Sequence, residues 1–410
     1  MVSLLEEYGS PLYVYDEVTI RAMCRSYIDA LRANYSNTSV TYAGKAYIDP
    51  TLLQIIADEG LGLDAVSGGE IQCAVASGFP MDRVIFHGNN KLPEEIDLAL
   101  SAGVGRIAID GLDDLRLVSR IASRRQATAN VILRLTPGIS AHTHEYIRTG
   151  ALDSKFGLPI STGQAEEAVK LALESSGISL IGYHAHIGSQ IFDAEPFAEN
   201  VRVLLDFSAK MRAKYGVSPE VISPGGGCGI KYVENDAGLE IEGLVKIICH
   251  TFKDGLPSGR QPELALEPGR SIVANAGVAL YTVGTLKEIP GIRTYAAVDG
   301  GMADNIRPAL YGSEYMVDIA GREATGEKLT VTIAGRYCES GDILFKDVSL
   351  PKLRSGDIIA AAASGAYNLA MSSNYNMALR PAVVFVRDGR ATLSRRRETY
   401  DDLMATFTEI

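Results

Sequence analysis

The chain has 410 residues, 46% of them hydrophobic and 22% charged, with a formal net charge of −11. That composition builds a sizeable core and fits about two domains, and the dispersed negative charge argues against nucleic acid or an anionic membrane as main partner. The five cysteines, Cys24, Cys73, Cys228, Cys249 and Cys338, are scattered and form no CxxC pair, so a reduced, cytoplasmic setting is expected rather than a disulfide framework.

The amino-terminal stretch MVSLLEEYGSPLYVYD carries early acids and no apolar h-region, which predicts no secretory signal. No run of about 18 apolar residues occurs, so no membrane span is expected. The segment SPLYVYDEVTI (10–20) reads as strand and is expected to pair with a later β domain. From residue 38 onward a rhythm sets in, with short apolar runs separated by stretches long enough for a helix. The runs are SVTYAGK (39–45), LGLDAVS (61–67), RVIFHG (83–88), GRIAID (105–110), ANVILRL (129–135), SLIGYHA (179–185), PEVISPG (219–225) and PELALEPG (262–269). Between them, DPTLLQIIADEG and PEEIDLALSAG have helical patterning. Continuous apolar strands alternating with helices predict a parallel sheet, and eight such units close a (β/α)8 TIM-type barrel.

After residue 275 the segments VALYTVGTLKEI, RTYAAVDGG, KLTVTIAGRYC, DIIAAAASGAY and PAVVFVRDGRATLSRRR are β-rich and separated by Gly and Pro turns. They predict a mostly antiparallel β domain. The expected organisation is an N-terminal segment over 1–30 pairing with that domain, a barrel over 31–275 and the β domain over 276–410.

Active sites of such barrels lie at the carboxyl ends of the strands. Here those ends carry Lys45, Asp64 with Ser67, His87, Asp110, Arg134, His184 and His186, Gly225 to Gly227, and Glu267 with Arg270. Turn chemistry accounts for the glycines and Asp110, but not for Lys45, His186 and Glu267 together. A lysine in an apolar setting becomes an amine nucleophile toward an aldehyde. The glycine-rich SPGGGCGI (223–230) offers bare backbone N–H groups to a phosphate. The carboxylate of LEPGR (266–270) can hold a proton on a ring nitrogen. An aromatic aldehyde with a phosphate and a protonatable ring nitrogen describes pyridoxal 5′-phosphate. No metal-ligand spacing stands out.

The chain resembles the barrel-type pyridoxal-phosphate-dependent decarboxylases, which have an alanine-racemase-like architecture. The resemblance runs through almost the whole chain: YAGKAY (42–47), LDAVSGGE (63–70), HTHEYIRTG (142–150), SKFG (154–157), HAHIGSQ (184–190), GGGCGI (225–230), EPGR (267–270), VDGGMADNIRPALYG (298–312), CESGD (338–342) and GAYNLAMSSNYN (365–376) follow in the family's order. Tyr47 stands where an asparagine is more usual. SEYMVDI (313–319) stands where an alanine-tyrosine-histidine run is expected.

By that resemblance Lys45 would carry the cofactor as a Schiff base, and His186 would stack on its ring. Ser189, Gly226, Gly227 and Tyr367 would bind its phosphate, with Gly269 and Arg270 adjoining. Glu267 would pair with the ring nitrogen. Asp64 reads either as a neighbour of the Schiff base or as a helix cap. Cys338 resembles the residue that controls protonation after carbon dioxide leaves, with Lys45 as the other possible donor. Arg270, Arg307, Tyr311, Glu339 and Tyr367 fall on the family's substrate positions. A carboxylate and an ammonium at the substrate's far end would need such cationic, hydroxyl and acidic partners. They imply diaminopimelate, which has an amino-acid group at each end, as substrate. The alternatives are L-lysine, L-ornithine or a carboxylated polyamine, whose bare terminal ammonium an arginine would repel. A racemase, a catalytically silent cofactor-binding protein and a phosphate-binding barrel are further readings. Within this family the CESGD segment serves the neighbouring subunit's site, so the resemblance implies a homodimer with shared active sites.

Overall fold

The computed structural model describes residues 1–139, 153–323 and 325–408. They form two compact units: one of Arg21–Ile230 with Ala237–Ile272, the other of Met1–Ile20, Lys231–Asp236 and Val273–Ile410.

The first strand, β1 (Leu12–Asp16), belongs to the second of these units. The other unit is built on β2 (Thr38–Ala43), β3 (Gly62–Ala65), β4 (Val84–Phe86), β5 (Arg106–Ile109), β6 (Ala129–Thr136), the two-residue β7 (Leu158–Pro159), β8 (Ile178–Ala185), β9 (Val221–Gly225) and β10 (Glu263–Leu266). Each of the eight apolar runs read from the sequence overlaps one of these strands, with three of the strands extending one residue beyond their run. Their neighbour order is β5-β4-β3-β2-β10-β9-β8-β6, and β5 pairs with β6, so the parallel sheet closes on itself. β7 is a short addition beside β6. Ile85, Ala108, Ile132, Ile181, Val221 and Ala265, from six different strands, pack as one layer, which fills the barrel rather than leaving a pore.

Local chemistry sets the helices that follow the strands. Pro50–Asp58 starts on Asp49, whose Oδ1 accepts from the Leu52 N–H at 2.8 Å, with Pro50 in the first turn where its missing N–H is harmless. Gly68–Ala76 starts on Ser67, and Leu112–Arg124 presents Leu115, Val118, Ile121 and Ala122 as a buried stripe at helical spacing.

The β unit continues with β11 (Gly277–Ile289), β12 (Arg293–Val298), β13 (Val317–Ala320), β14 (Lys328–Ala334), β15 (Ile343–Pro351), β16 (Ile358–Ala361), β17 (Ala382–Arg387) and β18 (Arg390–Arg395). The order is β15-β14-β12-β11-β1-β17-β18, with β16 pairing both β11 and β13. All pairings are antiparallel except β1–β17 and β12–β14. Leu12 and Val14 of β1 pack with Leu280, Ala382 and Val384, and helix Val2–Tyr8 adds Leu4, Leu5 and Tyr8.

Two strands of the β unit, β13 and β15, are not expected from the sequence, nor is the short β7 beside the barrel. β15 (ILFKDVSLP) breaks its alternation at Lys346–Asp347, where Asp347 has φ +53°, and ends in a proline. Lys231–Asp236, inside the span expected for the barrel, packs with the β unit instead: the Met316 N–H donates to the Tyr232 carbonyl at 3.1 Å, and the Tyr232 ring meets Tyr315 edge-on. Among the described residues, no helix is long and apolar enough to cross a membrane.

Candidate active site

The barrel gathers its polar side chains at one rim because a parallel strand delivers every carboxyl end to the same side. Lys45 sits in the single turn Gly44–Ala46 directly after β2 and is exposed. The apolar setting inferred from sequence is therefore corrected. The amine is accessible, and its charge is felt by Asp64, Glu70 and His186. The strand before it is apolar, but the turn opens onto acids from the end of β3 and the helix that follows.

Glu267, one residue past β10 and 7% exposed, is the centre of the buried part. Its Oε2 lies 2.8 Å from Nε2 of His184, and its Oε1 accepts from the Ser223 hydroxyl at 2.6 Å. His87 Nε2 faces it at 3.9 Å and faces Asp64 Oδ1 at 3.7 Å. The rings of His87 and His184 meet edge to face, with centroids 4.9 Å apart. Burial works to raise the Glu267 pKa, but the neighbouring His184 and its hydrogen bond outweigh it, so the carboxylate is held ionised below its usual range. Asp64 goes the other way: burial, and then the charge of Glu267, push it well above its usual range. Two acids in one cluster thus take opposite states. Burial, joined by nearby positive charge, likewise keeps His87 and His186 neutral.

Asp64 caps no helix, since Ser67 is the cap of Gly68–Ala76. Glu70, which sequence reasoning passed over, accepts from the Val66 N–H at 2.6 Å, one residue before the Ser67 cap, a shifted form of the S-x-x-E pattern. Arg134 lies 3.6 Å from Asp110, and its guanidinium stacks on Phe156 of SKFG at 4.4 Å. The HTHEYIRTG motif lies outside the described residues.

The glycine turn after β9 has a steric cause. A Cβ on Gly226 would stand 2.0 Å from the Glu267 carbonyl oxygen, and one on Gly227, at φ +118°, would stand 2.2 Å from the Gly188 carbonyl oxygen. His186 lies over the same turn, with Nδ1 3.0 Å from where a Gly225 Cβ would be. Among the described residues neither Gly226 N–H nor Gly227 N–H donates a hydrogen bond. Ser189 is nearby in sequence to His186, and its hydroxyl accepts from Arg270 Nε at 3.3 Å and Nη2 at 3.1 Å. Gly269 packs on the end of β2, where a Cβ would stand 2.9 Å from that of Ala43.

These donors fit pyridoxal phosphate. Unused backbone N–H groups suit a phosphate, an ionised buried carboxylate suits a ring nitrogen, and an exposed amine suits an aldehyde. Asp64 Oδ1, His87 Nε2 and His184 Nδ1 are buried polar atoms without hydrogen-bond partners.

The β unit builds a second cluster. Arg307 begins the short helix Arg307–Tyr311 and is 6% exposed. Its guanidinium carbon lies 5.4 Å from the ring centre of Tyr232, 5.5 Å from that of Tyr311 and 5.9 Å from that of Tyr367. Tyr367 takes a left-handed backbone, φ +62°, uncommon for a tyrosine. Cys338 and Glu339 lie elsewhere in this unit, on an exposed turn. The Cys338 N–H donates to Asn376 Oδ1 at 3.1 Å. Asp342, the last residue of the CESGD motif, is buried and anchors that turn by accepting from the N–H groups of Met302 and Tyr337.

Residues 19–274 match the family of pyridoxal-dependent decarboxylases over its pyridoxal-binding domain. The chain is 46% identical over 408 residues to diaminopimelate decarboxylase of Bacillus subtilis, covering 98% of this chain and 92% of the relative. A crystal structure of diaminopimelate decarboxylase from M. jannaschii in complex with L-lysine matches with a TM-score of 0.93 at 36% identity, over 100% of this chain and 94% of that one. The Helicobacter pylori enzyme, also complexed with L-lysine, matches with a TM-score of 0.91 at 30% identity, over 98% of each. The chain therefore belongs to the diaminopimelate decarboxylases, a family of pyridoxal-phosphate-dependent carboxy-lyases.

Proposed function

We propose that the protein converts meso-2,6-diaminopimelate to L-lysine and carbon dioxide, the last step of lysine biosynthesis. The observation that carries this reading is Arg307. A guanidinium buried to 6% exposure has, among the described residues, no carboxylate within ion-pair distance. Burying a charge without a counter-ion costs several kcal/mol. A ligand carboxylate offsets that cost. The product has one L centre, so the carboxylate lost belongs to the D centre. The intact L end, with its carboxylate and ammonium, is then the part that Arg307 and Tyr311 on one side and Glu339 on the other would hold.

Pyridoxal phosphate, when bound, supplies the electron sink for the pair released as the Cα–carboxylate bond breaks. The chain's own residues would do the rest. Lys45 would offer the amine that holds the cofactor. Gly226, Gly227, Ser189 and Tyr367 are the residues that would hold its phosphate, with Arg270 braced on Ser189. His186, kept neutral by burial, would face the ring without adding charge. Glu267, kept ionised by His184, would hold a proton on the ring nitrogen. Asp64 feels the charge of the Lys45 amine. Cys338 would return a proton to the carbon.

The exposed position of Cys338 and Glu339 agrees with their serving a partner subunit's site in a homodimer. All five cysteines are free, in keeping with a cytoplasmic protein. Turnover of meso-diaminopimelate beside L-lysine and L-ornithine tests the reading: preference for the first by at least about a thousandfold in kcat/KM is expected of a site built to pair the far carboxylate. Comparable turnover of L-ornithine overturns it.

A further inference from the structure

We propose that Tyr315, within the SEYMVDI segment that departs from the family pattern, is a positioning residue that aims Arg307 and so sets substrate preference. The proposal rests on the reading of Arg307 as partner of the substrate's far carboxylate. An arginine presents five N–H donors in a rigid fork. Arg307 gives Nε–H to the Tyr315 hydroxyl at 3.0 Å and one Nη2–H to the Ser313 hydroxyl at 3.2 Å. Those two contacts fix the fork's plane and its rotation. The Nη1 hydrogens donate to no described residue and remain for a ligand.

Tyr315 is itself held. It is 4% exposed, its hydroxyl donates to Asn368 Oδ1 at 3.1 Å, and its ring meets Tyr232 and Phe345 edge-on at 5.4 and 5.9 Å. A hydroxyl oxygen that has given its own proton to Asn368 has only lone pairs left toward Arg307. The direction of the Nε–H bond is thereby set. Both Ser313 and Tyr315 come from the SEYMVDI segment, so one short stretch of chain supplies both contacts.

L-lysine and cadaverine are the probes, since they share the carbon chain and both amines and differ by one carboxylate. Their affinities for the holoenzyme are measured by calorimetry, alongside kcat and KM for meso-diaminopimelate. Tyr315→Phe removes one acceptor oxygen and keeps the packed ring. The expected result is that L-lysine affinity falls about tenfold and KM rises similarly, as for a lost hydrogen bond to a charged group. Cadaverine affinity is unchanged and kcat stays within about twofold. Tyr315→His, whose ring nitrogen can accept the Nε–H, should recover most of the loss. Ser313→Ala should lower L-lysine affinity alone, by a few fold, and it keeps the clamp testable should the position 315 variants not fold. Equal weakening of both probes, or no weakening of L-lysine in any clamp variant, overturns the proposal. Arg307→Gln separates it from the reading beneath. If that variant binds L-lysine as before, Arg307 does not pair the carboxylate at all. If it weakens L-lysine and the clamp variants do not, only the positioning role fails.

Discussion

Each unit buries a carboxylate, and the two are shifted in opposite directions. In the barrel, Glu267 is 7% exposed and takes hydrogen bonds from an imidazole at 2.8 Å and a serine hydroxyl at 2.6 Å. In the β unit, Asp304 is 3% exposed and takes its bonds from the Tyr281 hydroxyl at 2.8 Å, the Tyr13 hydroxyl at 3.2 Å and the Gly301 N–H at 2.8 Å. Burial pushes Asp304 up to about 6, whereas the imidazole beside Glu267 overcomes burial and holds it low. Depth alone does not decide charge. A partner able to carry positive charge does. Exposure also separates the candidate residues: Asp64 and Glu267 lie in the barrel's buried cluster, whereas Lys45 on its rim and Cys338 and Glu339 on a turn of the β unit stand exposed.

The largest expected effect tests that second contrast. Lys45→Ala alone should lower activity by at least about a thousandfold, the scale of losing a positioned amine and proton carrier, and should abolish the visible absorbance of bound cofactor. Cys338→Ala should lower kcat as a separate lesion. In an equal mixture of the two variant chains after subunit exchange, half the dimers are mixed. Each mixed dimer has one site free of both substitutions, so about a quarter of wild-type activity should return. A mixture with no more activity than its parts means that each chain builds its whole site alone.

Next in size is Glu267→Gln, which keeps the shape but removes the permanent charge and leaves one acceptor oxygen, so that one of the Ser223 and His184 contacts must reverse its donor. Loss of that charge from a buried, preorganised site should lower kcat about a hundredfold while cofactor absorbance persists. A variant within about twofold of the wild-type kcat would mean that the ionised state of Glu267 has no part in the reaction.

The barrel was legible because a buried parallel strand is written as a continuous apolar run, and its polar end residue stands out against that run. Lys45, Asp64, His87, His184, His186 and Glu267 stand out that way. Their grouping around Glu267 does not, because His184 and Ser223 reach it from the neighbouring strands β8 and β9 and His87 from β4, and only the strand order brings the three together. Glu70 had a readable signal in its spacing from Ser67. The β unit was harder. β13 and β15 carry too few alternating residues to register, and Arg307 sits on a short helix whose counterparts Tyr232, Tyr315 and Tyr367 are spread over more than 130 positions. Cys338 and Glu339 have no local pattern and were legible only through resemblance.

The smallest expected effect addresses the β unit's carboxylate. Asp304 is raised from 3.8 to about 6 by burial, with the nearby Asp342 acting in the same direction and the hydrogen bonds of Gly301, Tyr281 and Tyr13 opposing. A group whose folded pKa is raised contributes stability that is fully present below the unfolded value and lost as pH rises through the folded one. The window is therefore about pH 4 to 6. Asp304→Asn removes the titration, and its amide oxygen can still accept the Gly301 N–H while its NH2 donates to the tyrosine hydroxyls. Denaturant midpoints of both proteins at pH 5 and pH 7 give the comparison. The stability of the wild type relative to the variant should fall by about 1 kcal/mol over that interval. A constant difference would show that Asp304 keeps its ordinary pKa despite its depth. The contrast with Glu267 would then collapse, because neutral hydroxyl donors would be enough to hold a buried carboxylate ionised.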